Sequence, residues 1–137
     1  MSNFIKSYQA NVGINHTPAY QVSGKPFATG SVAATTATKV EFPYVTRWLY
    51  VVNTGTNDLS VGFSENGVNG TNFFTIPAAG GDVGITSNSV RLEIKVSELW
   101  LSGSDSVDVC AGLTSIPTER VSLGTGKPSW SGSVGVG

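Results

Sequence analysis

Residues 90–96 read VRLEIKV, and this short run decides the fold class. In an extended chain Val90, Leu92, Ile94 and Val96 fall on one side, and Arg91, Glu93 and Lys95 on the other. A period of two marks a strand with one face buried and the other in water. Upstream, Val40 and Phe42 alternate with Lys39 and Glu41, while Leu59, Val61 and Phe63 share a face within residues 58–64. Downstream, residues 107–113 put Val107, Val109, Ala111 and Leu113 inward and Cys110 on the opposite face, as a structural rather than a reactive thiol.

Residues 47–53, RWLYVVN, are apolar on both faces and belong near a sheet centre or beneath a covering segment. Residues 73–76, closed by Pro77, and residues 98–101 add two more strands, and residues 20–22 and 27–32 are weaker candidates. Turn chemistry is expected at residues 54–57 (TGTN), at 64–70 (SENGVNG, a tight turn or bulged loop) and at 103–105 (GSD, a hairpin turn). No stretch predicts a helix. Short strands at regular spacing predict an all-β sandwich or barrel. The long connection over residues 78–88 and the uneven strand lengths favour a single jelly roll or other Greek key over a meander.

Two flanking segments lack this texture. Residues 1–19 carry Phe4, Ile5, Tyr8, Val12 and Ile14 among polar residues, and Pro18 discourages a continuing helix, so an N-terminal arm that docks on a partner is expected. Residues 118–137 are rich in Gly and Ser and form a C-terminal tail, flexible unless Trp130 finds a pocket. The sandwich domain is assigned to residues 20–117.

The chain has 137 residues, enough for one domain with a real core. Only 12% of residues are charged, about half the usual share of ~25%, and 39% are hydrophobic, which predicts folding and easy association. Eight basic against nine acidic residues, with no basic run, argue against direct nucleic-acid binding. No apolar stretch predicts membrane insertion, and the first residues lack the apolar run of a secretory signal. One cysteine leaves no internal disulfide framework.

Chemistry-bearing patterns are sparse. His16 is the sole histidine and stands in the arm, without a triad context. Metal-ligand spacing is lacking, and Asp105 with Asp108 suits turn chemistry better than calcium. Residues 123–129 (LGTGKPS) fail as a phosphate loop, because Val121 and Pro128 stand where Gly and Ser or Thr are required. Glu41, Glu93 and Glu98 are candidates for glycoside hydrolysis only by default, and a cleft holding two carboxylates ~5–10 Å apart would reopen that reading. No catalytic residue, cofactor or metal is therefore expected. Trp48, Tyr50 and Trp100 could form a sugar-binding platform, but covered faces or subunit contacts explain them better.

Residues 47–53, 58–81 (DLSVGFSENGVNGTNFFTIPAAGG) and 92–117 (LEIKVSELWLSGSDSVDVCAGLTSIP) give the span 40–117 a definite texture. It resembles small single jelly-roll virion proteins of tailed phages and large double-stranded DNA viruses. The resemblance implies a non-enzymatic capsid protein located in the virion. Its partners would be copies of itself, the major capsid protein and other virion proteins. A pentameric penton at the vertex is the favoured role, with a trimeric decoration or cement protein as the alternative. A receptor- or carbohydrate-binding module is the reading from a different class. Phe4, Ile5, Tyr8, Val12, Ile14, Trp48, Trp100 and Trp130 are the candidate inter-subunit contacts.

Overall fold

The alternating runs fold into two facing sheets in the computed structural model, which describes residues 14, 17–21, 24–78, 88–122 and 127–137. Eight strands follow in order: β1 (Lys25–Ala34), β2 (Thr38–Glu41), β3 (Thr46–Asn53), β4 (Leu59–Gly62), β5 (Phe73–Ile76), β6 (Asn88–Leu92), β7 (Glu98–Ser102) and β8 (Ser104–Leu113). One sheet has the order β1-β8-β3-β6 and the other β2-β7-β4-β5, with every pair antiparallel. The protein is an all-β sandwich.

The period-two sets meet in the space between the sheets. Leu49 and Val51 of β3 and Val107, Val109 and Ala111 of β8 face Leu59 and Val61 of β4 and Leu99 and Leu101 of β7, all 0–1% exposed. Each such valine or leucine contributes roughly 1.5–3 kcal/mol through removal from water. As its two apolar faces predict, β3 lies inside its sheet, between β8 and β6.

Several expectations need correction. Residues 103–105 are not a hairpin turn: β7 and β8 lie in different sheets, and Gly103, at φ +105°, carries the chain across the sandwich. That φ suits glycine because no Cβ crowds the backbone there. Residues 64–70 form a short helix, α2 (Glu65–Asn69), rather than a tight turn. Ser64 caps it by accepting the Gly67 N–H on Oγ at 2.9 Å. Residues 17–21, expected as arm and weak strand, form the helical turn α1 (Thr17–Gln21). Pro18 is compatible because the first helical turn has no use for its missing N–H.

The opening run also ends sooner than its periodicity suggests. Ladder pairing in β6 stops at Leu92, though Val96 stays buried. Beyond it the chain passes to the other sheet, and Thr46 replaces the lost ladder: its Oγ1 donates to Ile94 O at 2.7 Å and accepts from Val96 N at 3.1 Å. Conversely, β1 is a ten-residue edge strand where only a weak one was expected. A bulge interrupts it at Ser31, whose φ of +56° is held by its N–H to Asp108 Oδ1 at 2.8 Å.

Candidate functional site

A cleft opens on the outer face of the β2-β7-β4-β5 sheet. Antiparallel register sets Lys39 beside Trp100 and Glu41 beside Glu98. Like charges directly opposed across a strand pair repel. Two contacts relieve the repulsion. Lys39 Nζ pairs with Glu41 Oε1 at 2.8 Å, and the Trp100 indole N–H donates to Glu98 Oε2 at 2.5 Å. The hydrogen bond to Glu41 holds the Lys39 ammonium above its ordinary range. Desolvation opposes this, while the charges of Glu41 and Glu98 add to it.

The cleft has two lobes sharing Lys39, Glu98 and Pro128. The larger, about 600 Å³, reaches Glu41, Phe42 and Glu119, and the smaller, about 340 Å³, reaches Glu65 and Trp100. One wall is the tail. Ser129 Oγ accepts the Ser97 N–H at 3.0 Å, and Ser64 Oγ donates to Val136 O at 2.8 Å, which lays residues 128–136 along the sheet. Ser129 and Trp130 take φ values of +52° and +69°. Non-glycine residues rarely adopt that region, and here the surrounding contacts enforce it.

The opposite outer face, on β1-β8-β3-β6, carries Trp48, Tyr50 and Val52 beside the charged Arg91 and Asp108. One cross-strand row runs Ala28, Cys110, Tyr50, Arg91. Tyr50 is 37% exposed and its hydroxyl lies 2.8 Å from Ser89 Oγ. A shallow hollow of about 280 Å³ lies between Ala28, Gly30, Tyr50, Val52 and Cys110. Trp48 lies sideways over Gly112, where a Cβ would fall within 2.3 Å of its Nε1, so only glycine leaves room for the ring. The Arg91 guanidinium sits over that ring at 5.7 Å and also pairs with Glu93 at 3.2 Å.

The candidate contact residues fall in different places. Trp48 is half-buried on the face opposite the cleft, and Trp100 is half-buried at the cleft. Trp130 finds a pocket within its own chain, packed against both the main core and a smaller cluster of Val45, Ile116 and Val121. Ile14 joins that smaller cluster, together with Tyr20. Phe4, Ile5, Tyr8 and Val12 lie outside the described residues, as does His16. Among the carboxylates named from sequence, Glu41 and Glu98 share the cleft and Glu93 does not. Glu98 is 6% exposed, a burial its alternation with apolar neighbours did not announce. Among the described residues no group of His, Cys, Asp and Glu is arranged to hold a metal ion, and no helix is long and apolar enough to cross a membrane.

No protein-family model matches the sequence, and no curated protein matches it.

Proposed function

We propose that this chain is a single jelly-roll structural subunit of a virus capsid, acting without catalysis as a penton at the five-fold vertex. The observation that carries this reading is the pairing order. Strands counted inward from the two ends of the chain are hydrogen-bonded partners: β1 with β8, β2 with β7, β3 with β6 and β4 with β5. Such pairing is what results when a long antiparallel ribbon is rolled into two Greek keys, an architecture that virus shells share with lectins and cupins. The texture of residues 40–117 favours the shell among these.

The two outer faces support association. The face around Trp48, Tyr50 and Val52 can meet another subunit without burying unpaired ions, because Arg91 is paired with Glu93 and Asp108 accepts the Ser31 N–H. A ring of identical subunits requires a heterologous contact, one face against a different face, and this sandwich has two unlike outer faces. The arm residues Phe4, Ile5, Tyr8 and Val12 add apolar anchors for a neighbour. A sugar platform at Trp48 has less support, since Gly112 lies against its ring and Arg91 over it.

A reconstruction of the particle that contains this chain tests the proposal. Density for the sandwich at five-fold positions is expected. Density at quasi-three-fold positions would instead select the trimeric cement role. A shell with no place for the chain would overturn the reading. Removing residues 1–13, which leaves Ile14 in place, should keep the sandwich folded and reduce incorporation into particles.

A further inference from the structure

The cleft concentrates charge in a chain that carries little of it. Among the described residues, Glu41, Glu65, Glu98 and Glu119 line its two lobes against Lys39 alone. Four carboxylates less one ammonium leave −3 there, whereas the whole chain sums to −1, so all other charged side chains together sum to +2. Lys39 is held by Glu41, on the exposed side of the pair.

Glu98 is a separate and stronger sign. It borders both lobes, is 6% exposed, and accepts the Trp100 N–H on Oε2. Among the described residues its Oε1 accepts no hydrogen bond. A buried carboxylate oxygen without a donor is costly, and a cation entering the cleft removes that cost.

We propose that the cleft binds a guanidinium group, with Glu98 as its anchoring carboxylate. A bare metal ion fits poorly, because among the described residues the carboxylates do not gather as a ligand set. A planar cation is larger, less tightly hydrated and able to span separated acceptors. Glu98 Oε1 takes one N–H, and the indole of Trp100 and the ring of Pro128 give the cation flat apolar walls. Glu119 and Glu65 hold the net field negative at the two ends. The guanidinium belongs either to a free small molecule or to an arginine side chain presented by another protein. Binding here does not depend on the chain being part of a shell.

Titration of the full chain with agmatine and with capped arginine, followed by amide chemical shifts and tryptophan fluorescence, tests the site. Saturable binding is expected, with shifts at Lys39, Glu98 and Trp100. Affinity should fall at least tenfold in Glu98→Gln, which keeps the shape of the side chain, and several-fold in the exposed variant Glu119→Gln. Glu93→Gln, away from the cleft, should bind as the parent does. Capped arginine within a short peptide binding tenfold more tightly than agmatine would point to a protein partner, and equal affinities to a free cation. Absence of saturable binding, Glu98→Gln binding unchanged, or displacement of the ligand by calcium at equal concentration would each overturn the proposal.

Discussion

Trp130 donates its indole N–H to the main-chain carbonyl of Lys95 at 2.6 Å, and this contact joins the tail to the run that decides the fold. The same lysine sends its ammonium to Ile14 O at 2.8 Å and lies over the Tyr20 ring at 5.3 Å. Lys95 thus ties together the segment before β1 and the segment after β8. Glycine-rich chain is expensive to order, so the Trp130 contacts must offset that entropy.

Trp130→Ala should therefore destabilise the protein by about 3 kcal/mol and release the tail, since packing against both clusters is lost. Trp130→Phe keeps most of the packing but leaves the Lys95 carbonyl without its donor, costing about 1 kcal/mol. Urea unfolding followed by far-UV circular dichroism gives both values. Protection of the tail amides from hydrogen exchange should vanish only in the alanine variant.

Asn53 predicts a comparable loss from a smaller change. It is fully buried, and its amide nitrogen donates to Asn57 O, Ile76 O and Pro77 O at 2.9, 3.1 and 3.2 Å. Its Oδ1 accepts from Gly55 N at 3.1 Å and from Ser104 Oγ at 2.7 Å. Asn53→Leu keeps the branched shape but strands these groups, so a loss of roughly 3 kcal/mol is expected in denaturant unfolding. A change below about 1 kcal/mol would mean that water replaces the amide.

These residues also explain what was legible in the sequence. Strand parity could be read wherever one face is buried and the other wet, as at Val40, Leu59 and Val61 or at Val107 and Val109. Sheet membership could not, because Gly103-Ser104-Asp105 has the same local chemistry whether the chain turns back or crosses over. The edge strand β1 was understated because Ala28, Gly30 and Ala33 are exposed and give no apolar signal. Glu41 and Glu98 stand 57 positions apart and meet only through the register of β2 with β7. The burial of Glu98 and the seat of Trp130 are tertiary facts with no local signature.

Gly112 and Trp48 give a coupled prediction. Gly112→Ala places a methyl within 2.3 Å of the indole nitrogen and must displace the ring from beneath Arg91. Overpacking of this kind costs about 1–3 kcal/mol. In a Trp48→Ala background the same substitution should cost much less, since the atoms it strikes are gone. A double-mutant cycle by chemical denaturation measures the difference, and additive effects would contradict the contact.

Alkaline pH should weaken the fold in a predictable direction. Burial raises the Tyr20 phenol above its ordinary value of 10.0, and the hydrogen bond to Glu41 raises the Lys39 ammonium above 10.5. Each group therefore binds its proton more tightly folded than unfolded. Above the unfolded values the native state holds more protons, so stability falls as pH rises. The contribution is complete below about pH 9 and fades through the raised folded values. Tyr20 also donates its hydroxyl to Ile14 O at 2.7 Å, a bond that the phenolate cannot make. Urea midpoints from about pH 8 to 11 should decline most steeply in the upper part of that range. Tyr20→Phe should be less stable at neutral pH yet show a shallower alkaline slope, and Lys39→Met should flatten it further. A midpoint that rose with pH would reverse the sign of both shifts and remove the arrangement of Tyr20 and Lys39 described above.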